Sequence, residues 1–166
     1  MFNQTQTGAL LHQAHMATIE ALQQLEEFIG KAKGTPAVDD AAKLFLKRFA
    51  RTMRQEVELH FGFEENHLFP VFVEQGEVGI VTMLTHEHRS ILPLALQVSD
   101  LADAAVAAGA FSEADWKAFR DAGGELVERE IFHVQKEEMG LLAAVSALVD
   151  PETDTRLADA YRALGG

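Results

Sequence analysis

Residues 60–70 read HFGFEENHLFP, and residues 133–142 read HVQKEEMGLL. In both segments a histidine precedes a glutamate by four residues, which places the two side chains on one face of a helix. One offset of 73 residues relates His15 to His88, His60 to His133 and Glu64 to Glu137. This shared offset predicts an internal repeat in which a helix pair has been duplicated.

Four long segments carry apolar residues at the three- and four-residue spacing of amphipathic helices. They cover about residues 6–33, 40–74, from after Gly79 to about 108, and 112–149, and a tail helix is predicted at 152–164. Short stretches containing Gly, Pro, Asp or Ser separate them, and no segment keeps the period of two that indicates a strand. The sequence therefore predicts an all-α protein, an antiparallel up-down-up-down four-helix bundle with an internal two-fold repeat and a short C-terminal helix.

Length and composition favour one domain over residues 1–166, with the bundle at about 6–149 and the tail at 150–166. The chain has no cysteine, which excludes disulfides and thiolate chemistry. Its net charge of −12 argues against a nucleic-acid partner, because Lys and Arg supply most of that affinity. The uncharged run at 139–149 is too short for a membrane span, and the start lacks a signal-peptide pattern. We expect a cytoplasmic protein with no membrane partner.

The polar residues of the two segments interrupt apolar helical stripes. The stripe predicted for the second helix is Leu46, Phe49, Met53, Val57, His60, Glu64, Leu68 and Val71. The stripe predicted for the fourth is Trp116, Phe119, Gly123, Leu126, Glu130, His133, Glu137, Leu141, Ala144 and Leu148. On the first and third helices, His15 and His88 occupy stripes of the same kind. All of these polar groups are therefore expected to point into the core.

Buried carboxylates beside imidazoles are costly unless they are paired or bind a metal. The candidate metal ligands are His15, His60, Glu64, His88, His133 and Glu137. Two imidazoles for each ion, two bridging glutamates and one oxo or hydroxo bridge give five donors, which leaves one open position on each six-coordinate ion. Nitrogen and oxygen donors without sulfur suit iron or manganese, with zinc allowed on affinity. The expected cofactor at this point is a pair of cations, iron or manganese, with zinc as a further possibility.

These residues resemble the hemerythrin family, specifically its HHE cation-binding branch. Residues 60–70 are similar to that family's His-Phe-x-x-Glu-Glu-x-x-Leu-Phe-Pro signature, residues 133–138 resemble its second copy, and His15 and His88 match the single-histidine positions. The resemblance covers about residues 8–148 and implies a non-haem di-iron centre. The chain departs from oxygen-carrying hemerythrins, because Leu84 and Leu92 stand one turn from His88, where those proteins have a fifth histidine.

In the carriers the last ligand is an aspartate, whereas here Glu137 takes that place, with Glu138 as a possible substitute. The four-His, two-Glu pattern is similar to that of relatives implicated in repair of iron centres after nitrosative stress, in iron sensing, or in peroxide chemistry. We therefore expect a protein that binds or reduces O2, NO or peroxide, served by an unidentified electron donor. The alternatives are an iron-sensing or iron-storage module without turnover, an oxygen-binding hemerythrin, or a polar stripe filled by salt bridges. The pattern leaves enzymatic turnover open.

Several further residues have two interpretations. Glu130 is either an acceptor for a ligand imidazole or a salt-bridge partner of Lys or Arg. Glu65 and Glu138 are interpreted as a solvated edge rather than as partners of the ligands. Three other histidines, at 12, 67 and 86, are interpreted as surface imidazoles. An exposed tail helix would allow a homodimer, which the sequence leaves open.

Overall fold

The computed structural model describes residues 5–165, and the predicted domain also includes residues 1–4 and 166, which lie outside that range. It has five helices: α1 (Gln6–Lys31), α2 (residues 40–74), α3 (Val78–Ala108), α4 (residues 113–148) and α5 (Pro151–Ala163). Between residues 5 and 165, β-structure is limited to a single bridge that joins Ala37 to Ala110. The predicted all-α fold is confirmed.

The helix ends follow ordinary capping chemistry. Ser112, predicted as the N-cap of α4, accepts a hydrogen bond from the backbone N–H of Asp115 at 3.0 Å. At the other end of α3, Gly109 adopts a φ of 73°, the left-handed conformation that ends many helices. Pro70 lies inside α2, although the sequence suggests that it could kink or end this helix early. It lies in the first turn of the α-helical stretch Phe69–Glu74, where the missing N–H of proline is tolerated.

Two of the long helices contain π-helical turns. In α2, α-helix Asp40–Arg54 is followed by π-helix Gln55–His60, α-helix Phe61–Phe63, π-helix Glu64–Leu68 and α-helix Phe69–Glu74. In α4, α-helix Glu113–Lys136 is followed by π-helix Glu137–Leu141 and α-helix Leu142–Leu148. The second π segment of α2 and the π segment of α4 start and end 73 residues apart. The repeat therefore extends from the side chains to the backbone.

These π turns shift the apolar stripes by one residue. The π segment adds a residue to the turn, because the N–H of Phe69 bonds to the carbonyl of Glu64 five residues earlier. Beyond it Val71 is half-buried and Phe72 is fully buried. In α4 the predicted Ala144 and Leu148 are likewise half-buried, while Val145 and Val149 are buried. The three predicted residues pack at the border of the second apolar cluster, and the stripe predictions missed the buried Phe72, Val145 and Val149 because they assumed an uninterrupted α-helical period.

The four long helices pack in a closed ring, with contacts between α1 and α2, α2 and α3, α3 and α4, and α4 and α1. Two apolar clusters fill its interior. The first contains Leu22, Phe49, Met53, Ile91, Phe119 and Leu126, and the second contains Leu11, Phe63, Leu84, Leu141 and Val145. Helices α1 and α3 run from the second cluster to the first, and α2 and α4 run the other way. This alternation is the predicted up-down-up-down arrangement.

The candidate ligands lie between these two clusters. On α1, His15 follows Leu11 of the second cluster and precedes Leu22 of the first. On α3, His88 lies in the same way between Leu84 and Ile91. The bundle therefore contains one polar layer with apolar layers on both sides.

One helix within residues 5–165, α3, is long and apolar enough to cross a membrane by length and composition alone, with a mean hydropathy of 1.4 over 18 residues. The sequence-based search for a membrane span concerned only the run at 139–149, and the apolar stretch in α3 was missed. In the fold, α3 packs against α2 and α4, and it buries Leu84, Ile91 and Val98. The core helix of a bundle can pass the same compositional test.

The tail helix α5 is not a separate appendage, because its apolar face packs on α1 and α2. Leu157 and Tyr161 are buried in the second cluster. Asp154 lies at the N-terminus of α1, where its carboxylate accepts hydrogen bonds from the backbone N–H groups of Gln6 and Thr7, both at 2.9 Å. One buried side chain thus joins the two ends of the chain.

Replacing Asp154 with Ala is expected to lower the free energy of unfolding by about 2 kcal/mol, because two N–H groups at the start of α1 lose their acceptor. For a chain of this size the melting temperature should fall by roughly 4–8 °C. The control is Asp159→Ala, which removes an exposed carboxylate from the same helix. Equal stability of the two variants in thermal and urea unfolding would contradict this role for Asp154.

Candidate metal centre

The structure brings all six predicted ligands together in the polar layer. Each is at most 2% exposed, and they come from the four long helices: His15, His60, Glu64, His88, His133 and Glu137. They form two groups, each with its potential ligand atoms within 4.8 Å of one another. The first group is His15, His60, Glu64 and Glu137, and the second is Glu64, His88, His133 and Glu137. The two glutamates belong to both groups.

All four imidazoles turn their Nε2 atoms towards the shared carboxylates. Glu64 Oε1 lies 2.7 Å from His60 Nε2, and its Oε2 lies 3.1 Å from His88 Nε2. Glu137 Oε1 lies 2.6 Å from His133 Nε2 and 3.8 Å from His15 Nε2. Each glutamate therefore reaches one histidine on its own helix and one on a neighbouring helix.

The layer contains more buried polar atoms than the surrounding protein satisfies. Within the described part of the chain, every one of the six residues has at least one buried side-chain atom without a hydrogen-bond partner, including both oxygens of Glu137 and the Nε2 atoms of His15, His88 and His133. Such buried groups are rare in native proteins because each carries a desolvation cost. A cation at each group would satisfy them, so the residues present fit a metal centre.

The carboxylates of the metal-free layer favour the protonated forms of two of its histidines, His60 and His133. Burial lowers the pKa of His60, but the carboxylates of Glu56 and Glu64 outweigh it and raise that pKa to about 10. Burial likewise opposes protonation of His133, and Glu137 and other carboxylates raise its pKa to about 11. Burial raises the pKa of Glu64, but His60 and the hydrogen bonds to the carboxylate hold it well below its usual range. A metal ion must therefore displace protons to bind.

Carboxylates contact the Nδ1 atoms of some of these imidazoles, on the side of the ring away from Glu64 and Glu137. His88 Nδ1 donates to Glu65 Oε1 at 3.1 Å, and Glu138 Oε1 lies 2.5 Å from His12 Nδ1. The interpretation of Glu65 and Glu138 as only a solvated edge was wrong, since each contacts a histidine. His133 Nδ1 donates to Glu87 Oε1 at 2.8 Å. Glu87 was not among the residues that the sequence predicted for the site, since its partner lies on another helix.

Glu130 takes neither of its expected roles. It is 1% exposed, and within residues 5–165 its two oxygens have no hydrogen-bond partner, so it forms no salt bridge and accepts from no ligand imidazole. Burial and the neighbouring carboxylate of Glu56 raise the pKa of Glu130 well above its usual range. Glu56, also overlooked, lies four residues before His60 and accepts a hydrogen bond from Thr18 Oγ1 at 2.8 Å. Burial beside a second carboxylate therefore disfavours the charged form of Glu130.

The remaining histidines lie outside the layer. His86 is exposed, His67 stacks on Phe63 with ring centroids 5.7 Å apart, and the side chain of His12 is 39% exposed. Aromatic rings cover the layer more closely. Phe61 stacks on His88 at 3.8 Å, and Tyr161 of α5 approaches His60 edge-on at 6.2 Å. The tail helix therefore contributes to the wall of the site.

Comparison with known proteins gives one finding. A family model described as the hemerythrin HHE cation binding domain matches residues 7–145. That range contains all six residues of the layer. Neither the curated proteins nor the solved structures give a significant match.

In metal-free protein, the free energy of unfolding should fall as the pH rises from about 7 to 9. The raised pKa of His60 stabilises the folded state fully below the unfolded-state pKa of about 6.5, and this contribution is lost as the pH approaches about 10. The measurement is urea unfolding in a chelating buffer across this range. His60→Gln should make the dependence shallower, with the remainder contributed by His133, and the exposed His86→Gln should leave it unchanged. An unchanged slope in His60→Gln would contradict the protonated histidine.

Proposed function

Since the chain belongs to the hemerythrin HHE cation-binding domain family, we propose that it is a non-haem di-iron protein that binds or reduces O2, NO or peroxide at an iron pair bridged by Glu64 and Glu137. Family membership gives the coarser statement, that this is a cation-binding domain whose buried His and Glu groups are able to hold metal. The identity and number of the ions, and the small molecule, belong to the proposal.

The sharing of Glu64 and Glu137 by both groups carries the proposal. Four imidazoles and two carboxylates provide two nitrogens and two oxygens for each of two ions, provided that each glutamate gives one oxygen to each ion. A single ion would leave two of the four imidazoles without a partner. The number of buried donors therefore favours two cations over one.

The chemistry of the donors supports iron. The set contains only imidazole nitrogen and carboxylate oxygen, which suit iron and manganese, and the chain has no cysteine to favour a softer metal. Four protein donors at each ion leave coordination positions for small molecules. When bound, an iron pair supplies redox chemistry with two electrons, and the electron donor would be a separate molecule.

The protein provides the enclosure for this chemistry. Apolar clusters lie on both sides of the polar layer, and Phe61 stacks directly on His88. Such walls limit access by water and favour small uncharged molecules over charged ones. Beside the layer, burial and the carboxylate of Glu56 raise the pKa of Glu130 well above its usual range, which favours its protonated form.

The first test is metal quantification. Wild-type protein loaded with Fe(II) under anaerobic conditions should bind two ions per chain, and Glu64→Ala with Glu137→Ala should lose both, because the two groups share these carboxylates. The matched control is Glu58→Ala with Glu74→Ala, which removes two exposed carboxylates from α2. Retention of two irons by the Glu64, Glu137 variant would show that the bridging assignment is wrong.

The second test concerns the small molecule. The iron-loaded protein should show ligand-to-metal charge-transfer absorption that changes on addition of O2, NO or peroxide. An iron-storage or iron-sensing protein without turnover would show metal-dependent melting and no such response. A spectrum that is unchanged by all three molecules would therefore favour that alternative.

A further inference from the structure

The two halves of the candidate centre differ in the support behind their imidazoles. In the half formed by His88 and His133, both Nδ1 atoms donate to carboxylates, to Glu65 at 3.1 Å and to Glu87 at 2.8 Å. In the half formed by His15 and His60, neither Nδ1 atom has a hydrogen-bond partner within the described residues. The asymmetry exists although the ligands themselves obey the repeat.

The carboxylate near His15 is engaged elsewhere. Glu138 is the repeat counterpart of Glu65, but its Oε1 lies 3.7 Å from His15 Nδ1, beyond hydrogen-bonding distance. The same oxygen lies 2.5 Å from His12 Nδ1. Thr85 stands at the repeat position of His12, so the other half has no competing imidazole there. Glu138 therefore supports His15 less directly than Glu65 supports His88.

The Nδ1 atom of His60 lacks a carboxylate partner, and the identity of one residue on α1 explains this. Glu87 supports His133, and the repeat counterpart of Glu87 is Ala14, whose methyl group cannot accept a hydrogen bond. Ala14 and His60 both line a cavity of about 320 Å³, together with Glu56, Thr18 and Tyr161. Glu56 does not replace the missing acceptor, since its Oε2 accepts from Thr18 and no hydrogen bond joins it to His60 Nδ1.

The half formed by His88 and His133 is also held more firmly by packing. His88 is stacked between aromatic rings, with Phe61 at 3.8 Å and Phe69 at 5.8 Å. Lys136 forms an ion pair with Glu87, which fixes the carboxylate that supports His133. A larger cavity of about 710 Å³ borders His88, but there the imidazole is already held by the Phe61 stack and by Glu65. Both imidazoles of this half are thus oriented before an ion arrives.

A carboxylate behind a ligand imidazole orients the ring and makes it a stronger donor, and its removal typically lowers metal affinity 10- to 100-fold. We propose that the position held by His88 and His133 binds its cation first and retains it, whereas the position held by His15 and His60 fills second and exchanges. This inference rests on the two-cation centre of the proposed function. Glu65 and Glu87 act as positioning residues for His88 and His133. Ala14, which provides no acceptor for His60, accounts for the lower cation affinity of the position held by His15 and His60.

The experiment is an anaerobic titration of the full-length protein with Fe(II) against a competing chelator. Wild type should bind two ions in two resolved steps. Glu87→Ala should weaken the first step by about 10- to 100-fold and leave the second nearly unchanged. Its control, Glu125→Ala, removes an exposed carboxylate that pairs with Arg129. Ala14→Glu should tighten the second step by at least about tenfold and slow the release of that ion to the chelator.

Two ligand variants assign the steps. His60→Ala should keep the tight step and lose the weak one, and His133→Ala should do the reverse. If Ala14→Glu does not fold, as judged by helical circular dichroism, Glu65→Ala replaces it and should weaken the first step. Equal affinities in wild type, or selective loss of the tight step in His60→Ala, would overturn the inference while leaving a two-iron protein. Wild type that binds fewer than two ions would overturn the proposed function itself.

Discussion

Within residues 5–165, the fold contains a layer of buried polar groups whose hydrogen-bonding atoms the surrounding protein does not all satisfy. Four imidazoles and two carboxylates are removed from water between two apolar clusters, and many of their atoms have no partner within the described residues. Burying such groups without compensation costs several kcal/mol. At 166 residues the surrounding core is large enough to carry that cost. The bundle can therefore fold around a site whose favourable interactions are completed only by cations.

Sequence reasoning predicted the helices and the convergence of six side chains, because both follow from local rules. A spacing of four fixes which residues share a helical face, and the 73-residue offset indicates which histidines belong together. The same rules failed after Glu64 and Glu137, since a π turn changes the helical period and no residue type signals it. They also missed Glu87, because its role depends on which side chain of α4 lies opposite α3.

The surroundings of the ligands obey the repeat less strictly than the ligands do. Glu65 and Glu138 occupy equivalent positions yet contact different histidines, and Glu87 has only Ala14 as its counterpart. The tail helix places Tyr161 edge-on to His60, whereas the ring edge-on to His133 is Phe61 of α2. A pseudo-symmetric set of ligands is thus placed in an asymmetric environment, which allows two chemically similar positions to differ in behaviour.

The π turns also carry information about the history of the chain. Glu64–Leu68 and Glu137–Leu141 occupy the same offset in both halves, so the simplest account is that the extra residue already existed in an ancestral helical hairpin before its gene was duplicated. The π segment Gln55–His60 occurs in only one half, as does the carboxylate of Glu87. In these unpaired features the two hairpins have diverged, by gain in one half or by loss from the other.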